Sequence, residues 1–293
     1  MVENQQDKAL QALRNEIDKI DDQVIFLLKQ RMEVVAQVAE LKKNNQEKFF
    51  IKSAREADMI KDLVKKAGDN FPKTLIVDLW RKIITAANMR EQSLSIAIHN
   101  PKNISDYEYL VRGYYCDTIP LDSFDSAGSV VLELEKNSAK IAIFSLPNQS
   151  DEREKKEDMK ENWWMTLANN NLGLRVFAKI PFVEFSDENK NQVQLVAVAA
   201  KEPEKSGSDN TLIYVETGKE ISTSQVLAAL KEQNLAAKIL KSVKLQQVEG
   251  VVFYLIDVEG FYLEKDAALV GFKKNKIKPF IKILGHYATP IRL

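Results

Sequence analysis

A chain of 293 residues with 42 basic and 42 acidic side chains, a formal net charge of +0 and 45% hydrophobic residues has the composition of an ordinary globular protein of two or three domains. The charge balance argues against nucleic-acid and membrane-surface partners. A single cysteine, Cys116, excludes an intramolecular disulfide framework and, with His99 and His286 far apart, disfavours a Cys/His zinc site.

The first element runs from about Lys8 to Lys43. Leu13, Ile17, Ile20, Val24, Leu27, Val34, Val38 and Leu41 recur at helical spacing and predict one amphipathic helix. At 1.5 Å per residue it is roughly 54 Å long, too long to bury its stripe on one short partner, which favours a dimer or a long hairpin. Arg31 stands where the stripe demands an apolar residue, and a guanidinium in an apolar seam is costly unless an anion meets it. Lys42, eleven residues on, returns to within roughly 20° of Arg31. Arg14, seventeen residues earlier, is rotated by roughly 100° and displaced by roughly 25 Å, so it reaches the same spot most easily from an antiparallel second copy of the helix. Taken singly, these cations have plainer readings: Arg31 as a snorkelling or paired arginine, Lys42 as a partner of the helix C-terminal dipole.

Residues 44–52 form a connection. Ser53-Ala54-Arg55-Glu56 has the pattern of a capping box opening a second helix, with Ala57, Ile60, Leu63 and Val64 on its apolar face and Ala67-Gly68 at its end. A third helix follows Phe71-Pro72 and runs to about Gln92, with Leu75, Ile76, Leu79, Trp80, Ile83, Ile84 and Ala87 inward. Glu91 continues that stripe at its C-terminal end. Desolvation and the negative end of the helix dipole both disfavour its ionised form, so it is expected to be protonated and able to donate a hydrogen bond.

The pattern changes at residue 94. Strands are predicted at 94–98, 129–134, 140–144, 174–180 and 193–200. The charged run Asp151–Glu161 reads as a solvated helix face or loop, Trp163-Trp164 as a packing anchor, and residues 201–210 (KEPEKSGSDN) as a polar linker. From Thr211 the order is strand (211–216), helix (223–233), strand (237–243), strand (251–259), helix (about 265–274) and strand (281–284), a βαββαβ ferredoxin-like unit. No apolar run reaches the length of a membrane span, the opening MVENQQDKALQALRNEID has no apolar signal core, and there is no glycine-rich phosphate loop or G-x-S-x-G elbow. A cytoplasmic protein using no metal and no cofactor is expected.

Residues 8–92 resemble the all-helical chorismate mutase domain, the three-helix, intertwined-dimer kind. The resemblance rests on LRNEIDKIDDQVIFLLKQR, on Lys42 eleven residues after Arg31, on AREA at 54–57 and on LWRKIITAANMRE. It implies that Arg31 grips one substrate carboxylate, that Arg14 is donated across the dimer, and that Lys42 hydrogen-bonds the ether oxygen of the breaking bond. It further implies that Arg55 supports a carboxylate, that Glu56 accepts from the substrate hydroxyl, and that Glu91 is the second donor to the ether oxygen. Lys52 stands where a bacterial relative has Asp, Ala87 where it has Ser, and one residue is inserted between Lys42 and Arg55. The C-terminal unit is similar to the ACT domain of prephenate dehydratases through FYLIDVEGF (253–261) and IKILGHYATPI (281–291). Its amino-acid-binding segments differ, with Gly218-Lys219-Glu220-Ile221 for G-A-L and Lys241-Ser242-Val243-Lys244 for E-S-R-P. The middle region looks like a shortened dehydratase catalytic region. Leu146-Pro147-Asn148-Gln149-Ser150 is weakly similar to its P-x-E-N-S loop, and LVAVAAKEPEKSGSDN replaces the motif carrying the catalytic threonine.

The resemblances imply three parts: an all-α mutase domain at 1–93, an α/β region at 94–205 and a ferredoxin-like, ACT-like domain at 206–293. They imply a homodimeric chorismate mutase of aromatic amino acid biosynthesis with a non-catalytic or regulatory tail. The rearrangement of chorismate to prephenate needs no nucleophile, metal or cofactor. It needs a dicarboxylate held in a compact conformer, which suits arginines, and donors aimed at the ether oxygen, which suits Lys42 and Glu91. Two competing readings are a bifunctional mutase–dehydratase and a non-catalytic helical interaction protein. The latter would keep its seam apolar, against Arg31 and Glu91.

Overall fold

The structure, a computed structural model, describes residues 2–44, 49–147, 162–185, 193–245 and 248–293. The chain forms two compact units, one of Met1–Phe50 with Ala86–Ser93, the other of Ile51–Thr85 with Leu94–Leu293.

The first unit holds helix α1 (Val2–Asn44) and the C-terminal turns of α3 (Lys73–Glu91). The long helix forms as its periodicity requires, and most of its apolar stripe is exposed in the single chain. Leu13, Ile17, Ile20, Val24, Leu27, Val34 and Leu41 are all exposed. Leu28, Arg31, Met32, Val35, Ala36, Val38 and Lys42 are half-buried and Ala39 is buried. By helical geometry Arg31 and Lys42 therefore run along the border between a half-buried flank and an exposed apolar flank. Within the single chain the predicted stripe is thus left uncovered. The small side chains Ala36 and Ala39 permit close packing on one flank, and the bulky leucines and isoleucines remain on the other.

The second unit holds α2 (Ser53–Ala67), the start of α3 and the α/β remainder. Gly68, with φ 66°, ends α2 where the sequence reading put its end. On α3, Ile76 and Ile84 are buried as expected, but Leu75 and Leu79 are exposed. Val77, Arg81 and Thr85 take their places on the buried face. The leucines were assigned by hydrophobicity alone, whereas the buried face also carries polar groups.

The remainder runs β1 (Ile96–His99), α4 (Ser105–Tyr114), β2 (Leu121–Phe124), α5 (Ala127–Glu135), β3 (Ile141–Ser145), α6 (Trp163–Ala168), β4 (Leu174–Ile180), β5 (Val183–Glu184), β6 (Leu195–Ala200), β7 (Asp209–Gly218), α7 (Thr223–Glu232), β8 (Ala237–Val243), β9 (Val251–Glu259), α8 (Ala267–Lys273), β10 (Phe280–Ala288) and β11 (Ile291–Arg292). Among the described residues, nine strands pair in one sheet, in the order β2-β1-β3-β6-β4-β10-β7-β9-β8. The last four, all antiparallel, carry the predicted βαββαβ order, with β7 and β9 central. They join the rest through the parallel pairing of Gly285 with Val176. Gly285 has φ 146°, and a Cβ there would collide with the Val176 backbone, so only glycine permits this approach.

One sequence expectation changes. Residues 129–134 lie in helix α5, not a strand. The Ser126 hydroxyl accepts the Ser129 N–H at 3.1 Å, and Ala127, Val130, Val131 and Leu134 line one helical face on the core. Residues 201–208 connect β6 to β7 without regular structure, as a linker does, and are held by polar contacts. Ser206 and Asp209 are buried, with the Asp209 carboxylate accepting from the Ser206 hydroxyl at 2.6 Å and its backbone N–H at 2.9 Å. Trp163 and Trp164 are buried anchors. Trp163 stacks on Phe144, with 4.9 Å between ring centroids, and donates to the Ser145 carbonyl at 2.6 Å. The run Asp151–Glu161 and Asn148-Gln149-Ser150 lie outside the described residues. Among the described residues no helix is long and apolar enough to cross a membrane.

Candidate active site

In the first unit, the centre is Lys42. Its ammonium pairs with the Glu91 carboxylate, donates to the Phe50 carbonyl oxygen at 3.0 Å and lies 5.4 Å from the Phe50 ring centroid. The Lys42 and Glu91 side chains are only 15% and 7% exposed. An ammonium has three N–H donors, so these two partners orient the third. Glu91 is half-buried at the end of α3, on the side that the periodicity of that helix turns inward. It is not the isolated carboxyl of the single-helix reading, because a cation from α1 meets it. Sequence distance hid this partner, 49 residues away. Arg31 is half-buried on the Lys42 side of α1, Ala87 is buried one turn before Glu91, and Arg14 is exposed.

In the second unit, the first turn of α2 carries Lys52, Arg55 and Glu56. The predicted capping box is absent. Lys52 is the N-cap residue, no side chain caps the helix, and the Lys52 carbonyl accepts the Glu56 N–H at 2.9 Å. The Ser53 hydroxyl instead accepts from Lys201 Nζ at 3.1 Å, which removes it from capping. The same ammonium donates to the Ile51 carbonyl at 3.1 Å and to Glu204 at 3.2 Å, and Lys52 pairs with Glu204 at 3.6 Å. Burial lowers the Lys201 pKa from its ordinary value, opposed by Glu204. Arg55 is exposed.

Glu56 turns to α3, where Arg81 Nη1 lies 3.4 Å from its Oε2. These side chains are 12% and 6% exposed. The Arg81 guanidinium carbon lies 4.3 Å from the Tyr114 ring centroid and 4.8 Å from that of Phe182. Burial raises the Tyr114 hydroxyl pKa to about 12, against the opposing pull of the Arg81 cation. Sequence reading missed Arg81. The signal was available, since Arg81 breaks the apolar register of α3 between Val77 and Ile84 much as Arg31 breaks that of α1. Among the described residues no group of three or more His, Cys, Asp or Glu side chains is placed to hold a metal ion.

These arrangements offer donors and charges rather than a nucleophile. Lys42 and Glu91 form a part-buried pair whose ammonium can meet an oxygen gaining negative charge. Residues 13–92 match the family model described as chorismate mutase type II. This segment is a chorismate mutase domain. The mutase domain contains all eight residues singled out above, from Arg14 to Glu91, and Arg81 as well. A curated relative, the bifunctional chorismate mutase/prephenate dehydratase of Aquifex aeolicus (strain VF5), is 28% identical over 97 residues, which are 32% of this chain and 26% of that protein. The match thus spans about a quarter of that relative's length. Among solved structures, a prephenate dehydratase from Streptococcus mutans matches 68% of this chain and 100% of its own, at 18% identity and a TM-score of 0.45. A prephenate dehydratase from Arthrobacter aurescens in complex with L-Phe matches 67% and 90%, at 13% identity and a TM-score of 0.45.

Proposed function

We propose that the chain is a chorismate mutase, converting chorismate to prephenate in aromatic amino acid biosynthesis in the cytoplasm. The observation that carries the reading is the part-buried Lys42–Glu91 pair inside the segment that matches the mutase family. Lys42 donates to the ether oxygen as its bond breaks and stabilises the charge that gathers there, while Glu91 holds the Lys42 ammonium in place. Arg31 holds a substrate carboxylate and thereby the compact conformer. Arg55 supports a carboxylate and Glu56 accepts the substrate hydroxyl. Lys52 and Ala87 line the substrate with chemistry that departs from the bacterial pattern.

The working form is a homodimer in which Arg14 of one protomer serves the substrate of the other. Its support is the exposed apolar flank of α1, from Leu13 to Leu41 beside the Arg31–Lys42 line, on a 43-residue helix roughly 64 Å long. A second copy of that helix is the natural cover for such a stripe. Residues 94–205 and 206–293 form a non-catalytic or regulatory tail, its last part of the ACT type.

The test is loss of chorismate absorbance with the full chain. Wild type is expected to turn over, and Lys42→Ala to lose about 10³-fold in kcat/KM. An equally active Lys42→Ala sinks the site assignment. Mixing inactive Arg14→Ala and Arg31→Ala chains is expected to restore about a quarter of the activity, because each mixed dimer has one intact site. No recovery sinks the shared site.

A second reading, a bifunctional mutase–dehydratase, is favoured by the name of the Aquifex relative. It requires phenylpyruvate from prephenate. None is expected, given the missing threonine motif.

A further inference from the structure

The first turn of α2 is held from two directions, and the second meets Glu56. From one side, Lys201 and Glu204, following β6, fasten Ile51, Lys52 and Ser53 through contacts of 3.1 to 3.6 Å. The Asp58 carboxylate one turn on accepts the Gly207 N–H at 3.0 Å. From the other side, Arg81 meets Glu56 directly and is itself held against Tyr114 of α4 and Phe182 after β4.

A guanidinium cannot shed its charge, and burying it to 6% exposure is costly unless charge and orientation are both met. Here Glu56 meets the charge, and the faces of two aromatic rings meet the plane. That division matters for Glu56. Its Oε2 is engaged by a cation that the rings keep from swinging. A carboxylate has two oxygens with lone pairs to offer, so fixing one also fixes the direction of the other.

We propose that Arg81 is a positioning residue of the mutase domain, orienting Glu56 for the substrate hydroxyl, and that Tyr114 and Phe182 make the α/β region a structural part of that function. This rests on the proposed role of Glu56 in binding substrate. Removal of Arg81 acts through Glu56, and substrate binding suffers more than the chemical step, because the ether-oxygen donor Lys42 and its partner Glu91 are separate residues.

The experiment is a double-mutant cycle on chorismate kinetics in the full chain, with Arg81→Met, Glu56→Gln and the pair. Arg81→Met is expected to raise KM about tenfold with kcat changed less than about threefold, and to add nothing further in the Glu56→Gln background. Phe182→Leu leaves both charged groups in place and serves if Arg81→Met fails to fold. It is expected to raise KM about threefold, again only when Glu56 is present. Arg81→Lys, which keeps the charge but not the planar group, is expected to fall between. Additive effects, or a loss confined to kcat, overturn the proposal while leaving the mutase reading intact. A wild-type chain with no turnover overturns the mutase reading, and this proposal with it.

Discussion

Helix α3 carries a part-buried carboxylate–cation pair at each of two levels, and the two are built differently. Near its end, Glu91 meets Lys42, whose only other described partner groups are a backbone carbonyl and one ring. In its middle, Arg81 meets Glu56, with two rings against the guanidinium. A lysine ammonium is a compact charge whose donors rotate, so it can turn to an oxygen that becomes negative. A stacked guanidinium is fixed in plane and suits holding another group in place. The difference separates a pair fit to act on substrate from a pair fit to orient a side chain.

The largest expected effect breaks that comparison at Lys42. Lys42→Arg should lose activity almost as fully as Lys42→Ala, about 10³-fold in kcat/KM, because the planar group cannot reproduce the lysine geometry. If Lys42→Arg keeps near-normal turnover, the distinction between the two pairs is wrong. Next comes the exposed flank of α1. Leu27→Glu puts a charge into the stripe proposed to be covered by a second copy, and sedimentation should show monomers with activity down at least about 100-fold. A variant that remains dimeric places the interface elsewhere.

The third prediction sharpens the comparison by inverting it. Arg81→Ala should cost stability more than Lys42→Ala does, by about 3 kcal/mol in urea unfolding. It strands a buried carboxylate and empties the space against two rings. Lys42→Ala should cost activity more. Equal rank orders in both assays would remove the contrast.

The smallest effect lies outside both pairs. Burial lowers the His286 pKa below 6.5, and its Nε2 bonds the Tyr262 carbonyl at 2.7 Å. Because the folded pKa is depressed, the stability it confers is complete above pH 6.5 and is lost as pH falls through the folded value. His286→Gln should make the acid-side slope of unfolding free energy shallower. An unchanged slope assigns the acid response to other groups.

Much of the architecture was legible in the residues. The period of α1, the glycine at 68 and the βαββαβ order from Thr211 follow from local rules of pattern and turn chemistry, so each could be read from a short window. The anomaly of Arg31 and the inward placement of Glu91 came from the same rules. The α5 segment was misread because a run of six residues cannot distinguish a buried helix face from a strand. The capping box failed because Lys201, some 150 residues away, takes the Ser53 hydroxyl.

The sequence by itself determined the three N-terminal helices, the C-terminal βαββαβ order, the charged residues out of register on the helices and the family that residues 13–92 match, since periodicity and motif are local properties. Only the tertiary structure decided which face of α1 is buried, that Glu91 meets Lys42, and that Glu56 meets Arg81 beneath Tyr114 and Phe182. The reason is that a charge in an apolar register announces that it needs a partner but does not name one. Which partner arrives depends on contacts closed across tens of residues, and those are set by packing.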